Sequence, residues 1–158
     1  MLVKELSRRE CHEMLARLGF GRLACARENQ PYIVPVYFAY EADRLYGFAT
    51  MGQKVEWLRA NPRVCLEADE VKSHNDWASV IVQGRYEEFP DTPKYADVRK
   101  QAQTALEKRS LWWQTGFAAA QTRGTFDRDI PVFYCVHIEE ISGHRAAPDP
   151  VEASFKHS

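Results

Sequence analysis

At about residue 20 the apolar residues change their spacing, from a helical repeat to short alternating runs broken by tight turns. The runs lie only a few residues apart. Parallel strands need crossovers of a dozen residues or more, so these runs read as an antiparallel meander. Strands are expected over residues 21–26, 31–40, 45–49, 63–68 and 77–89, with a last one over 132–141 closing at Ser142-Gly143. Pro35 cannot donate to a ladder, so its strand belongs at an edge, at a bulge or against a ligand. In 63–68, Val64, Leu66 and Ala68 share one face and Cys65 and Glu67 the other, which predicts a sheet with one wet side. Closing such a sheet removes its exposed edges, and a small barrel is the architecture this predicts.

Helices flank the strands. Ser7 and Glu10 are spaced as a capping box, Cys11, Met14, Leu15 and Leu18 follow at helical spacing, and Gly19 offers a stop. Residues 70–76 read as a polar loop, and Pro93 stands where a helix reaching about Lys108 would begin. The tail after Pro148 is expected to be mobile.

A chain of 158 residues suits one domain, here 1–158 with a core over about 5–145. Its formal net charge of -1 gives no electrostatic reason to expect nucleic acid. The first residues lack the apolar core of a signal peptide, and no apolar run is long enough to span a bilayer. No membrane partner is expected, and a cytoplasmic location is. Cys11, Cys25, Cys65 and Cys135 are scattered with no C-x-x-C pair, as buried free thiols in a reducing compartment would be.

The chemistry concentrates in residues 45–62, where a strand runs directly into a short helix ended by Asn61-Pro62. Thr50 and Gln53 are spaced as a second capping box, and a helix start offers free backbone N–H groups and the positive end of the dipole to an anion. Lys54 falls in the first turn, where that dipole disfavours a cation unless an anion is near. The plainer alternative is a simple helix cap with a solvated lysine.

Three blocks, in order, resemble the FMN-binding split-barrel family that includes pyridoxamine 5'-phosphate oxidase, and within it the nitroimidazole-resistance branch. They are Gly21-Arg22-Leu23-Ala24 with Pro31 to Phe38; the strand-to-helix segment with Lys54, Leu58, Asn61 and Pro62; and Ser79 to Arg85. A weaker fourth block runs from Val136 to Gly143. The resemblance implies a mainly β (α+β) fold, a six-stranded antiparallel split β-barrel with flanking helices, and a homodimer holding FMN between its subunits. It implies Thr50 and Lys54 as phosphate ligands assisted by Gln53. It places Val34, Pro35, Val36 and Tyr37 against the flavin ring with Ala49 and Met51 beside them, Ser79 on the ring or ribityl chain, and Trp77 as a cover. The extra basic residues of the oxidase subfamily have no equivalent here, which speaks against vitamin B6 oxidation.

The function so implied is an FMN-dependent oxidoreductase that reduces a small nitro-aromatic or quinone-like acceptor with electrons from NADH or NADPH. Flavin chemistry needs no particular acid or base, and no catalytic side chain is assigned. The alternatives are a haem-binding protein on the same barrel, for which one histidine would suffice, a deazaflavin protein, and a non-catalytic flavin carrier or sensor. The five histidines are dispersed and no metal site is expected, Cys11-His12 being the nearest His–Cys approach. No P-loop, nucleophile elbow or dinucleotide fingerprint is present. Trp112, Trp113 and Phe117 are read as packing groups rather than as a roof over substrate.

Overall fold

The structure is a computed structural model that describes residues 1–109 and 131–150. The chain runs β1 (Leu2–Glu5), α1 (Arg8–Arg17), β2 (Phe20–Arg27), β3 (Gln30–Tyr37), β4 (Ala39–Glu41), β5 (Arg44–Thr50), α2 (Gln53–Ala60), β6 (Arg63–Ser73), β7 (Asp76–Phe89), α3 (Ala96–Glu107) and β8 (Pro131–Ala147). All eight strands join one antiparallel sheet in the order β3-β2-β6-β7-β8-β5-β4, with β1 paired to the second half of β8. The sheet stays open between β3 and β4, while β3 curls round towards β5, which makes a split barrel. Two strands exceed the expected six. β4 is the broken-off end of the 31–40 run, and β1 was hidden because all four of its residues are exposed.

Local chemistry accounts for the tight connections. Glu28 and Asn29 (φ 51° and 65°) and Ala42 and Asp43 (φ 52° and 61°) form two-residue turns with positive φ at both positions, the twist that suits a hairpin. Pro35 sits on the edge strand β3, paired only with β2, as its missing N–H requires. The α1 capping box is formed: the Glu10 N–H donates to Ser7 Oγ and the Ser7 N–H to Glu10 Oε1, each at 3.1 Å.

Four expectations need correction. Gly19 does not end α1 in a left-handed cap: Leu18 leaves the helix extended, and the Arg109 guanidinium donates to the carbonyls of Ala16, Arg17 and Leu18. Gly19 instead leaves room for that guanidinium, since a Cβ there would lie 2.9 Å from Arg109 Nη1. Residues 70–76 are almost wholly strand, with His74 and Asn75 forming the turn between β6 and β7. β8 continues through Ser142-Gly143 to Ala147, and Gly143 is there for clearance, because a Cβ would approach the Ser79 carbonyl to 2.8 Å and Cys11 Sγ to 3.0 Å. Finally, the second helix starts at Gln53 after Gly52, with no side-chain cap. Trp112, Trp113, Phe117 and the tail from residue 151 lie outside the described residues.

The barrel interior is filled by inward residues of successive strands, among them Leu23, Val36, Leu66, Val80, Val82 and Val136, with Met14 and Leu15 of α1 closing one side. On the outer face α3 lays Ala102, Ala105 and Leu106 against Ala39, Tyr46, Phe89 and Cys135. Among the described residues no helix is long and apolar enough to cross a membrane.

One packing constraint bears on the site. Tyr134 is buried in the barrel and its ring occupies the space above Gly47, where a Cβ would come within 2.2 Å of the ring. Gly47→Ala should therefore overpack the interior and lower stability by about 1–3 kcal/mol, measured by urea unfolding. A change below about 0.5 kcal/mol would show that the ring can move aside freely.

Candidate functional site

The strand-to-helix junction is built by β5 and α2. β5 pairs with β8 as far as Thr50 opposite Pro131, so Thr50 belongs to the sheet rather than to the helix. The expected Thr50–Gln53 capping box is absent for that reason: ladder hydrogen bonds have fixed the Thr50 backbone, and Gly52 takes the cap position with extended backbone. Gln53 is exposed and Thr50 half-buried.

Lys54 departs from the solvated side chain that a helix start usually carries. It is half-buried, with Nζ 5.9 Å from the centre of the Tyr134 ring, and burial holds its pKa below the ordinary lysine value. Its neighbour Cys25 is a buried thiol whose own pKa burial raises, and no carboxylate among the described residues lies within ion-pair distance of Lys54. An ammonium group taken from water without a counterion is costly. The junction therefore presents an uncompensated cation beside the free N–H groups that start α2.

The other sequence-predicted residues fall on two faces. Val34, Val36, Ala49 and Met51 pack into the barrel interior that Lys54 adjoins. Pro35, Tyr37 and Ser79 project from the opposite, outer face of β3-β2-β6-β7, with Trp77 two positions before Ser79 on its strand. Within one chain the two sets are separated by the sheet: Pro35 shares the lateral row of Arg22, Glu67 and Ile81, two residues along β7 from Ser79 on the outer face, while Val34, Val36, Ala49 and Met51 face the interior. Met51 also borders an open cleft of about 350 Å³ whose arginines are already engaged, Arg59 with Glu88 at 2.6 Å and Arg99 with Asp91 at 3.9 Å. That cleft is a weaker anion site than the junction.

Two groupings escaped the sequence. Arg22, Glu67, Asp69 and Ser79 meet on the outer face, with Arg22 Nη1 3.6 Å from Glu67 and 3.3 Å from Asp69, and Ser79 Oγ donating to Glu67 Oε1 at 3.2 Å. Burial, reinforced by neighbouring Asp69, raises the Glu67 pKa from 4.5 to about 7, against the pull of Ser79 and Arg22. Only the strand register reveals this cluster, because Arg22 faces Glu67, and Asp69 faces Ser79, across the sheet. The second grouping is Glu87, Cys135 and His137. Its sequence signal is Cys135-x-His137, since two residues apart in a strand share a face.

The comparisons with known proteins agree on one fold family. Residues 7–145 match the family model for pyridoxamine 5'-phosphate oxidase. An uncharacterized protein of Rhizobium meliloti is 40% identical over 146 residues, covering 92% of this chain and 97% of its own. The crystal structure of an FAD-binding protein from Mesorhizobium loti is 43% identical, with a TM-score of 0.76 over 93% of this chain and all of that one. An FAD-binding protein from Mycobacterium smegmatis is 25% identical, with a TM-score of 0.64 over 90% of this chain and 98% of that one.

The raised Glu67 carboxyl has a consequence for stability. The folded chain holds that proton more tightly than the unfolded chain, so between about pH 4.5 and 7 folding takes up a proton and stability falls as pH rises. Discounted for partial exposure, the loss is on the order of 1 kcal/mol. In urea unfolding at pH 5 and pH 8, Glu67→Gln should flatten the decline and stabilise the protein at the higher pH; an unchanged slope would remove Glu67 as its source.

Proposed function

The chain belongs to the pyridoxamine 5'-phosphate oxidase family, and on that footing we propose that it binds a flavin nucleotide between two copies of itself and works as an oxidoreductase. The observation that carries this reading is the half-buried ammonium of Lys54 at the start of α2, which has no carboxylate partner among the described residues. A phosphate there satisfies three needs together: it neutralises Lys54, it accepts from the open N–H groups of the helix start, and it lies at the favourable end of the dipole. Thr50 and Gln53 border the same spot, and Val34, Val36, Ala49 and Met51 form the apolar wall beside it.

The flavin ring is assigned to the space between this junction and the outer face of a second copy. Two observations support a second copy. Pro35, Tyr37, Trp77 and Ser79 cannot reach the Lys54 side within one chain, and the outer face exposes Phe20, Ile33, Tyr37 and Ile81, apolar groups that association would cover.

The FMN portion is what the junction grips. The FAD-binding relative from Mesorhizobium loti favours the dinucleotide as the whole ligand, since FAD carries the same ribityl phosphate. A bound flavin supplies hydride or single-electron transfer at its ring. The chain's own residues hold and orient it and exclude water, which is why no side-chain acid or base is required. The electron source proposed is NADH or NADPH, the acceptor a small nitro-aromatic or quinone-like molecule, and the setting the cytoplasm.

Stoichiometric, saturable uptake of FMN or FAD by folded protein, followed by flavin fluorescence, is the expected result, with a dimer in light scattering and slow NADH or NADPH consumption once an acceptor is added. Folded protein that takes up neither flavin would overturn the assignment, and a Soret band in protein as isolated would replace flavin by haem. Lys54→Met keeps the buried stem and removes the charge. It should leave the fold at least as stable and weaken flavin binding about tenfold to a hundredfold, the worth of one charge-assisted hydrogen bond.

A further inference from the structure

β7 and β8 place three metal-binding side chains on one outer patch, away from the barrel interior that adjoins Lys54. Glu87 is the direct cross-strand partner of Cys135, and His137 follows Cys135 by two residues on the same face. The Cys135 Sγ to His137 Nε2 distance is 3.5 Å, His137 Nε2 to Glu87 Oε1 is 2.9 Å, and all three donor atoms lie within 4.8 Å of one another. We infer that Glu87, Cys135 and His137 form a binding site for one divalent transition-metal ion, zinc by its donor chemistry.

The distances carry the argument. For a tetrahedral ion with bonds of about 2.3 Å to sulfur and about 2.0–2.1 Å to nitrogen and oxygen, ligand atoms stand roughly 3.4–3.6 Å apart. The Cys135–His137 separation already meets that spacing, and the Glu87–His137 contact, now a hydrogen bond, has to open by about half an ångström. Glu87 and His137 keep side-chain exposures of 44% and 26%, which leaves a route for the ion and an open fourth position for water. One thiolate, one imidazole and one carboxylate suit a borderline ion and not magnesium or calcium, which take oxygen donors.

Two further features belong to the patch. Cys135 is wholly buried, and burial, with Glu87 adding to it, pushes its thiol up to about 12 against the pull of Arg44 and Arg85. Binding would release that proton, and a dipositive ion would balance thiolate and carboxylate. Tyr46, the partner of Cys135 across β5 and β8, is fully buried, and among the described residues no group meets hydrogen-bond geometry with its hydroxyl, Arg44 and Cys135 being near enough to influence it. A buried hydroxyl left without a partner is costly and marks a place where a further group, such as a metal-bound water, would be accommodated.

The experiment is calorimetric titration of the intact, flavin-loaded protein with zinc alone, followed by zinc X-ray absorption. One zinc per chain should bind, with a single sulfur neighbour at about 2.3 Å and the rest nitrogen or oxygen. Glu87→Gln and His137→Gln alter partly exposed side chains and should leave circular dichroism and flavin content unchanged while weakening or abolishing zinc uptake. The proposal is overturned by absence of saturable zinc binding, by a coordination shell without sulfur, or by undiminished uptake in folded His137→Gln. Flavin content is read separately, so failure here leaves the flavin reading untouched.

Discussion

Pairing along β8 is the constraint on which the rest of the molecule depends. This seventeen-residue strand is hydrogen-bonded to β7 along most of its length, to β5 over its first half and to β1 over its last four residues. Among the described strands it alone is hydrogen-bonded to both the β3-β2-β6-β7 half of the sheet and the β5-β4 half. The first-formed strands therefore cannot complete a barrel until the C-terminal segment arrives, and that long-range closure is entropically demanding. Gly84 sets the register. A Cβ there would come within 2.2 Å of the His137 carbonyl, and at this point the ladder steps from Gln83 opposite Glu140 to Gly84 opposite Ile138, leaving Glu139 as an extra residue on β8.

The candidate anion site follows from that closure. Tyr134 enters the barrel from β8, fits because residue 47 of the adjacent strand is glycine, and receives Lys54 over its ring. The ammonium is thus placed by packing, and apart from its contact with the Tyr134 ring it has no charge partner among the described residues. A half-buried cation without a carboxylate partner is a candidate functional group.

What the sequence revealed, and what it concealed, divides by the range of the interaction. The strand positions, the turns at Glu28-Asn29 and Ala42-Asp43 and the Ser7–Glu10 cap were legible because each is decided by residues within a few positions of one another. The edge placement of Pro35 was legible because a missing donor has few permitted sites. The same local reasoning failed at Thr50 and at Gly143. Thr50 looked like a cap, but pairing with Pro131 holds it in the sheet; Gly143 looked like a breaker, but Ser79 and Cys11 press close to it and only a glycine gives them space. In the candidate site, the position of Lys54 at a helix start was legible but not its half-burial, since its neighbours Cys25 and Tyr134 are distant in sequence. The Arg22–Glu67–Ser79 cluster was invisible until strand register was known.

Alternation along β8 lets one segment serve both proposed sites. Tyr134 and Val136 point into the barrel and frame the Lys54 side, whereas Cys135 and His137 point outward beside Glu87. A slip of one residue would exchange the two sets, burying an imidazole in the interior and exposing the ring that supports the lysine. The step at Gly84 prevents that exchange from the β7 side, and the close fit of Tyr134 against Gly47 prevents it from the β5 side. The two sites are therefore separate in chemistry yet rest on the same register, so a substitution that shifts β8 should damage both, whereas one that changes Lys54 or His137 alone should damage only its own.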